Sequence, residues 1–315
     1  MAITAATKLS DFSGLLSPEQ SRPIFEMAAR VSAVQSLVQQ VPLGASGVAV
    51  PVVTGKITAG WVAETDAKPA SNGTMTLKTL EPKKVAAIAV VSAEVLRANP
   101  GGYVDLIRPQ MAEAFAIAFD RAVLRDEGPD GTPGAGPFTG VISDTTKNVE
   151  LGSSENVYLD VVEALEQLVG DGKKLRGFVL DDRMEPLFLG AVDSNKRPIF
   201  IDSPLDETTA AMFAANQASP ARPGKLIGRP AYFADAVGNI AGTELGYAGD
   251  WSQCAWGVVG GIRYSVSTEA TVTINGALVS LFENNLVAIL GEAEYGWACA
   301  DTSAFVAFTD LASGS

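Results

Sequence analysis

The sequence contains no histidine in 315 residues, and only two cysteines. The missing histidine excludes Ser-His-Asp and Cys-His nucleophile sites and the HExxH zinc site. It also removes the side chain that most often serves as a general base near neutrality. Cys254 and Cys299 lie far apart in the chain and form no CxxC, so they supply neither a metal cluster nor a redox motif of that kind. A single disulfide between them stays open at this level; two small buried hydrophobes is the simpler reading. Positive charge is scarce as well. Lys and Arg number 23 against 36 Asp and Glu, a formal net charge of −13, which is the wrong sign for a protein that clamps nucleic-acid phosphates. Long apolar runs are lacking. The longest, Val85 to Val91, falls far short of the ~18 residues that span a bilayer. The start, Met1 to Lys8, lacks the basic region and apolar core of a secretory signal. The expectation is a soluble chain made in a cytosol, with no membrane partner.

What is present is globular. Hydrophobic residues make up 47% of the chain, enough to rule out wholesale disorder and to build a core in one large domain or two. Residues 1 to about 20 are small and polar and read as an arm. Ile24, Met27, Ala28, Val31, Val34 and Leu37 then fall at helical spacing. From Val48 to Val91 the pattern turns to strands, with turn formers between Asp66 and Gly73. This block reads as a long β-hairpin, with Lys83 to Ser92 as a third strand. A ribbon of that kind is marginal alone in water and needs something to lie on.

A helix follows. Pro109 fits best in a first turn, which predicts a start near Asp105 or Leu106. Ile107, Met111, Ala114, Phe115, Ala118, Phe119 and Ala122 form the predicted apolar stripe, and Gly128 ends it. The glycine- and proline-rich stretch from Gly128 to Gly140 is a loop and a candidate domain boundary. Beyond it α and β elements mix: helices over Tyr158–Val169 and Arg183–Ala191, strands at Gly177–Leu180 and Ala231–Ala234, a loop over 215–225, and a β-rich end with a long apolar strand over Asn285–Ala298. The class is α+β.

The motifs that carry chemistry elsewhere dissolve on inspection. Gly134-Ala135-Gly136 has the outline of a dinucleotide turn, but Pro137 interrupts it and no strand precedes it. Gly172-Lys173 and Gly224-Lys225 lack the spacing of a phosphate-binding loop. Asp181-Asp182 reads as a helix cap, and Asp193-Ser194-Asn195 as a turn without the twelve-residue calcium loop. Glu292 and Glu294, at i and i+2, share one face of the long strand, which reads as a solvated or subunit-facing strand edge. Trp61, Trp251, Trp256 and Trp297 read as core or interface anchors, because no basic groove accompanies them. No catalytic residue, cofactor site or metal site is expected.

Four blocks resemble the major capsid proteins of tailed bacteriophages, with the Hong-Kong-ninety-seven-like fold. They are Trp61-Val62-Ala63-Glu64 with Lys68-Pro69, Leu80-Glu81-Pro82-Lys83-Lys84 and Ser92-Ala93-Glu94-Val95-Leu96; Val192-Asp193-Ser194-Asn195 with Arg197-Pro198-Ile199-Phe200; Leu226-Ile227-Gly228-Arg229-Pro230 with Phe233, Asp235 and Gly249-Asp250-Trp251-Ser252; and Phe282-Glu283-Asn284-Asn285 through Glu292 to Asp301 and Ala304-Phe305. The resemblance implies an N-arm over 1–45 and an extended loop over 46–92 that lies on an adjacent subunit. It implies a peripheral domain from 93–137 and 284–315 with a long spine helix, and an axial α/β domain over 138–283.

It further implies self-assembly as hexamers and pentamers into an icosahedral virion shell in the bacterial host cytoplasm. The implied partners are further copies of the chain, a portal, a separate scaffold or decoration protein, and double-stranded DNA held by non-specific enclosure. Trp61, Glu64, Lys68, Lys78, Asn285 and Glu292 become the expected inter-subunit contacts. Some members join a loop lysine to a neighbour's asparagine with help from a glutamate. Asn285 and Glu292 fall at the matching positions, but Thr76 falls at the lysine position, with Lys78 two residues on, so self-crosslinking is not expected. Two other readings stay in view: an encapsulin-type nanocompartment, and a soluble enzyme using carboxylates such as Asp181, Asp182 or Glu292.

Overall fold

The computed structural model describes residues 32–310 apart from 54, 56, 63–67, 69, 100, 101, 129, 130, 154, 155, 193–196, 199, 203–221, 235, 236, 239–243 and 261. Short helix α1 (Ala33–Leu37) leads into the two-residue strand β1 (Gln39–Gln40). Strands β2 (Val48–Val53), β3 (Met75–Leu80) and β4 (Lys83–Ser92) follow, then helices α2 (Ala93–Ala98) and α3 (Tyr103–Arg125). The middle of the chain holds β5 (Asn148–Leu151), α4 (Val157–Gly170), β6 (Gly177–Leu180), α5 (Glu185–Gly190), β7 (Phe200–Asp202), β8 (Arg222–Leu226), β9 (Arg229–Phe233) and β10 (Glu244–Gly249). The last part comprises β11 (Cys254–Val258), β12 (Arg263–Ser267), β13 (Thr271–Ile274), β14 (Ala277–Ser280), β15 (Leu286–Cys299) and β16 (Phe305–Asp310).

Two sheets organise these elements. A seven-stranded sheet runs β5-β16-β10-β6-β9-β8-β7, and a five-stranded sheet is built on β15. Strand β4 pairs along one edge of β15 from Leu286 to Tyr295, while β12 and β11 share the other edge. The long apolar strand is therefore central, not an edge as the Glu292 and Glu294 pattern suggested. Its apolar stretch from Leu286 to Ile289 does not alternate because packing covers both faces there, Leu286 and Ala288 on one side and Ile289 on the other. The third strand of the expected hairpin also goes elsewhere. Only β2 and β3 pair as the hairpin, and β4 leaves it to join β15, where ten residues find partners. The expected loop over 215–225 gives way to strand β8 from Arg222 onward; residues 215–221 lie outside the described residues.

Helix α3 lies against β15. Among its described side chains the buried apolar residues are Ile107, Met111, Phe115, Phe119 and Val123, each four apart, joined near the end by Ala122 and Leu124. Of the expected stripe Ala122 is buried, whereas Ala114 and Ala118 are exposed; four-residue spacing keeps one narrow face inward over most of the helix, and these two alanines fall just outside it. The helix begins at Tyr103, before the predicted start, because Gly102 in the left-handed region (φ 77°) turns the chain into it. Pro109 thus sits in the second turn, on the exposed side. The approach to the sheet is close at Gly291, where an added Cβ would stand 3.0 Å from the Met111 Sδ.

Phe119 closes the junction of helix and sheet. Its ring meets Trp256 at 6.1 Å, Trp297 at 6.3 Å and Tyr295 at 5.2 Å. The same core takes in Trp251, Phe305 and Tyr247 from around the seven-stranded sheet. A second core fills the other side of that sheet, where Val161, Ala164 and Leu168 of α4 and Phe188 of α5 pack. Asp181 takes the expected capping role: its carboxylate accepts from the Arg183 N–H at 2.9 Å and from the Gly238 N–H at 2.9 Å.

The helix expected over Ile24–Leu37 is described only from Ser32 onward, and that part is packed down. Ser32, Ala33 and Val34 are buried. The Trp256 indole N–H donates to the Val38 carbonyl at 3.1 Å, and β1 runs parallel to β11.

Candidate inter-subunit surface

The β2–β3 hairpin presents two different faces. Its register sets Ala49 opposite Thr79, Pro51 opposite Leu77 and Val53 opposite Met75, so these six side chains share one side of the ribbon. All six are exposed, Val53 to 56% and Met75 and Leu77 to 70% each. The other side carries Val48, Val50 and Val52, half-buried. Leu80 at its base is fully buried against Leu43 and Ala298. The hairpin is thus anchored at its root and bare along its length. A contiguous apolar face of this kind marks a surface built for a partner.

The candidate contact residues divide accordingly. Trp61 is fully exposed beside the exposed Ile57 and Val62, the reverse of Trp251, Trp256 and Trp297, which are buried with their indole N–H groups bonded to Gly177, Val38 and Gly140 carbonyls. Lys68 and Lys78 are exposed, and the register puts Lys78 opposite Val50. Glu64 lies outside the described residues. Asn285 is in the left-handed region (φ 52°) just before β15, and its side-chain amide donates to Glu94 of α2. Glu94 is held below the usual carboxylate range, first by its own backbone N–H, then by Ser92 and Asn285. Glu292 pairs with Lys84 across the β4–β15 ladder at 2.5 Å. Seven strand positions separate Asn285 from Glu292, about 23 Å at the rise of a β-strand. One chain therefore does not bring these two side chains together.

Further exposed apolar residues went unread in the sequence. Leu278 of β14 and Phe282 in the turn that follows are exposed to 78% and 79%, beside a small core of Val90, Ile274, Leu281, Leu286 and Ala288. Val266 of β12, exposed to 65%, is opposite Ile289 and so lies on the other face of the sheet, the one that α3 covers. The available signal was Asn275-Gly276. Both residues take positive φ, 52° and 79°, and they close a two-residue hairpin between β13 and β14, the turn that favours this dipeptide.

The carboxylates of the enzyme reading are committed to structure. Asp181 caps a turn and Glu292 is paired. The concavity lined by Lys147, Glu163, Glu166, Gln167 and Asp171 is open and edged mostly by charged residues, unlike an enclosed apolar substrate site. Among the described residues no group of three or more His, Cys, Asp or Glu could hold a metal ion, and no helix is long and apolar enough to cross a membrane.

The family model described as "Phage capsid family" matches residues 13–310. The chain is 41% identical over 311 residues to the "Probable major capsid protein gp17" of Mycobacterium phage D29, covering 96% of this chain and 92% of that one. It is 40% identical over 320 residues to the protein so described from Mycobacterium phage L5, covering 98% and 93%. Among solved structures, a chain from Mycobacterium phage Ogopogo superposes with a TM-score of 0.70 at 20% identity, over 98% of this chain and 100% of that one.

Proposed function

The chain belongs to the phage capsid family, and from that premise we propose that it is the major capsid protein of a tailed phage, forming hexamers and pentamers that close an icosahedral shell around double-stranded DNA. The observation that carries the mechanism is the hairpin's bare apolar face. Ala49, Pro51, Val53, Met75 and Leu77 gain little from folding the single chain, and burying them against a neighbour would supply the driving force for assembly. Its work is packing rather than catalysis. The proposed contact residues are Trp61, Glu64, Lys68, Lys78, Asn285 and Glu292, with Trp61 as the anchor, since a fully exposed tryptophan gains most from a partner's pocket.

The domain division proposed is an arm over 1–45, a loop over 46–92, a peripheral domain from 93–137 and 284–315, and an axial domain over 138–283. Strand pairing favours two bodies but has them exchange strands: β11 and β12 pair with β15, while β16 sits between β5 and β10. Portal, scaffold or decoration proteins and assembly in the host cytoplasm belong to the same reading. A net charge of −13 suits a wall that encloses polyanionic DNA without gripping it.

Electron microscopy of the protein, expressed with its neighbouring genes, tests this. Shells or five- and six-membered rings uphold it. Nothing larger than monomers or dimers of the 32.7 kDa chain would overturn it, and protein cargo in place of nucleic acid would transfer the chain to a nanocompartment.

A further inference from the structure

We propose that Cys254 and Cys299 are an intrachain disulfide site, closed when the protein meets a low-molecular-weight disulfide oxidant. The two residues are direct cross-strand partners in the antiparallel β11–β15 ladder. The phase of the ladder decides what they can do. The Ala300 N–H donates to the Gln253 carbonyl at 2.8 Å, and the Val259 N–H donates to the Glu294 carbonyl at 3.0 Å. Both are hydrogen-bonded positions, and the alternation between them makes Cys254–Cys299 a non-hydrogen-bonded pair. Opposed Cα atoms at such positions stand about 4.5 Å apart, inside the span that a disulfide bridges. The thiols are free, and the register sets them face to face.

The pairing sets the order of events. The Cys254 thiol facing it holds the Cys299 thiol below its ordinary range, while burial pushes the Cys254 thiol up. Cys299 is thus the attacking thiolate. Its sulfur displaces one thiolate from the oxidant and becomes a mixed disulfide. Cys254 then gives its proton to the released thiolate, and its sulfur attacks the Cys299 sulfur and expels the second half of the oxidant. Two protein thiols and one small disulfide become one protein disulfide and two small thiols, and two electrons pass from protein to oxidant. Both cysteines are buried, but they occupy the end of the ladder, the last residue of β15 and the first of β11. Local opening is easiest there. The bond would tie β11, and with it β1 from the arm, to the central strand.

The test is incubation of the purified full-length chain with excess oxidised glutathione under native conditions, followed by denaturation, alkylation and mass spectrometry. The expected product has no free thiol, is lighter than the reduced chain by two hydrogens and yields a linked Cys254–Cys299 peptide. It should resist urea better than the reduced chain, with its folding equilibrium constant raised at least about ten-fold. Cys254→Ser should stop at a glutathione adduct on Cys299, and Cys254→Ala serves if serine is not accommodated. Two surviving thiols, separate adducts on both cysteines of the unsubstituted chain, or disulfides between chains would each overturn the proposal.

Discussion

The Ser32 hydroxyl donates a buried hydrogen bond to the carboxylate of Asp120, 88 positions away in sequence. The Ala33 N–H donates to the other carboxylate oxygen at 2.9 Å. This is how the described end of the arm is fastened to the long helix. A carboxylate answers the N–H groups that open α1, and Ser32 caps that helix by accepting from the Gln35 N–H.

That fastening predicts a pH dependence. Asp120 is 2% exposed, and burial pushes its carboxyl from 3.8 up to about 7, against the pull of the Ser32, Ala33 and Val34 donors. A carboxyl whose folded pKa is raised keeps its proton better when folded. Its contribution to stability is complete below about pH 4 and is lost as pH rises toward 7. Melting temperature should therefore fall between pH 5 and pH 7.5, and Asp120→Asn, which has nothing to titrate, should shrink that fall. An identical slope in the variant would remove Asp120 from the account.

Phe119→Ala should be the most damaging substitution on α3. The ring touches Trp256, Tyr295, Trp297 and Phe138, so its loss opens a cavity where the helix and β15 meet. Truncations of this kind cost about 3–5 kcal/mol. The shift in urea midpoint should be several times that of Ala118→Gly on the exposed side, for which helix propensity predicts about 1 kcal/mol.

Gly291→Ala tests the closeness of helix and sheet. The new Cβ would stand 3.0 Å from the Met111 Sδ and 3.3 Å from the Phe115 ring, and overpacking of this sort costs about 1–3 kcal/mol. Because the nearest atom belongs to a flexible side chain, Met111→Ala in the same chain should recover part of the loss, and the double-mutant cycle should show coupling. Additive effects would mean that the helix moves as a body.

The hairpin was legible because Val48, Val50 and Val52 alternate and a polar turn separates them from Met75 and Leu77. Local pattern specifies local pairing. The fate of β4 was not legible, since its seven apolar residues, Val85 to Val91, suit a hairpin strand and a sheet strand equally well, and only the distant β15 decides between them. The same limit concealed that Glu292 lies on a central strand, paired with Lys84, and that Cys254 faces Cys299. Each depends on a register between segments far apart in the chain. Asn275-Gly276 was a short-range signal and could have located β13 and β14. Of the contact residues, Trp61 reads from sequence like the other three tryptophans, as a core or interface anchor, and only the structure separates it, fully exposed, from the three buried ones.

Leu77→Glu should separate folding from assembly. Leu77 is 70% exposed on the bare face of the hairpin, so the single chain loses almost no packing with it. The change in unfolding free energy should stay within about 0.5 kcal/mol, as for other surface substitutions. If that face is covered by a neighbouring subunit in the shell, the same glutamate must be buried there without a partner, at a penalty of several kcal/mol per contact, repeated at every copy. Circular dichroism should then report a normally folded chain while sedimentation finds no shells. Met75→Glu, on the same face, should behave alike. Val169→Glu, on an exposed site of α4 away from the hairpin, is the control and should assemble. Shells formed by Leu77→Glu at the normal yield would mean that the face stays wet in the assembly, and the driving contact would have to be sought at other exposed apolar residues such as Leu278 and Phe282.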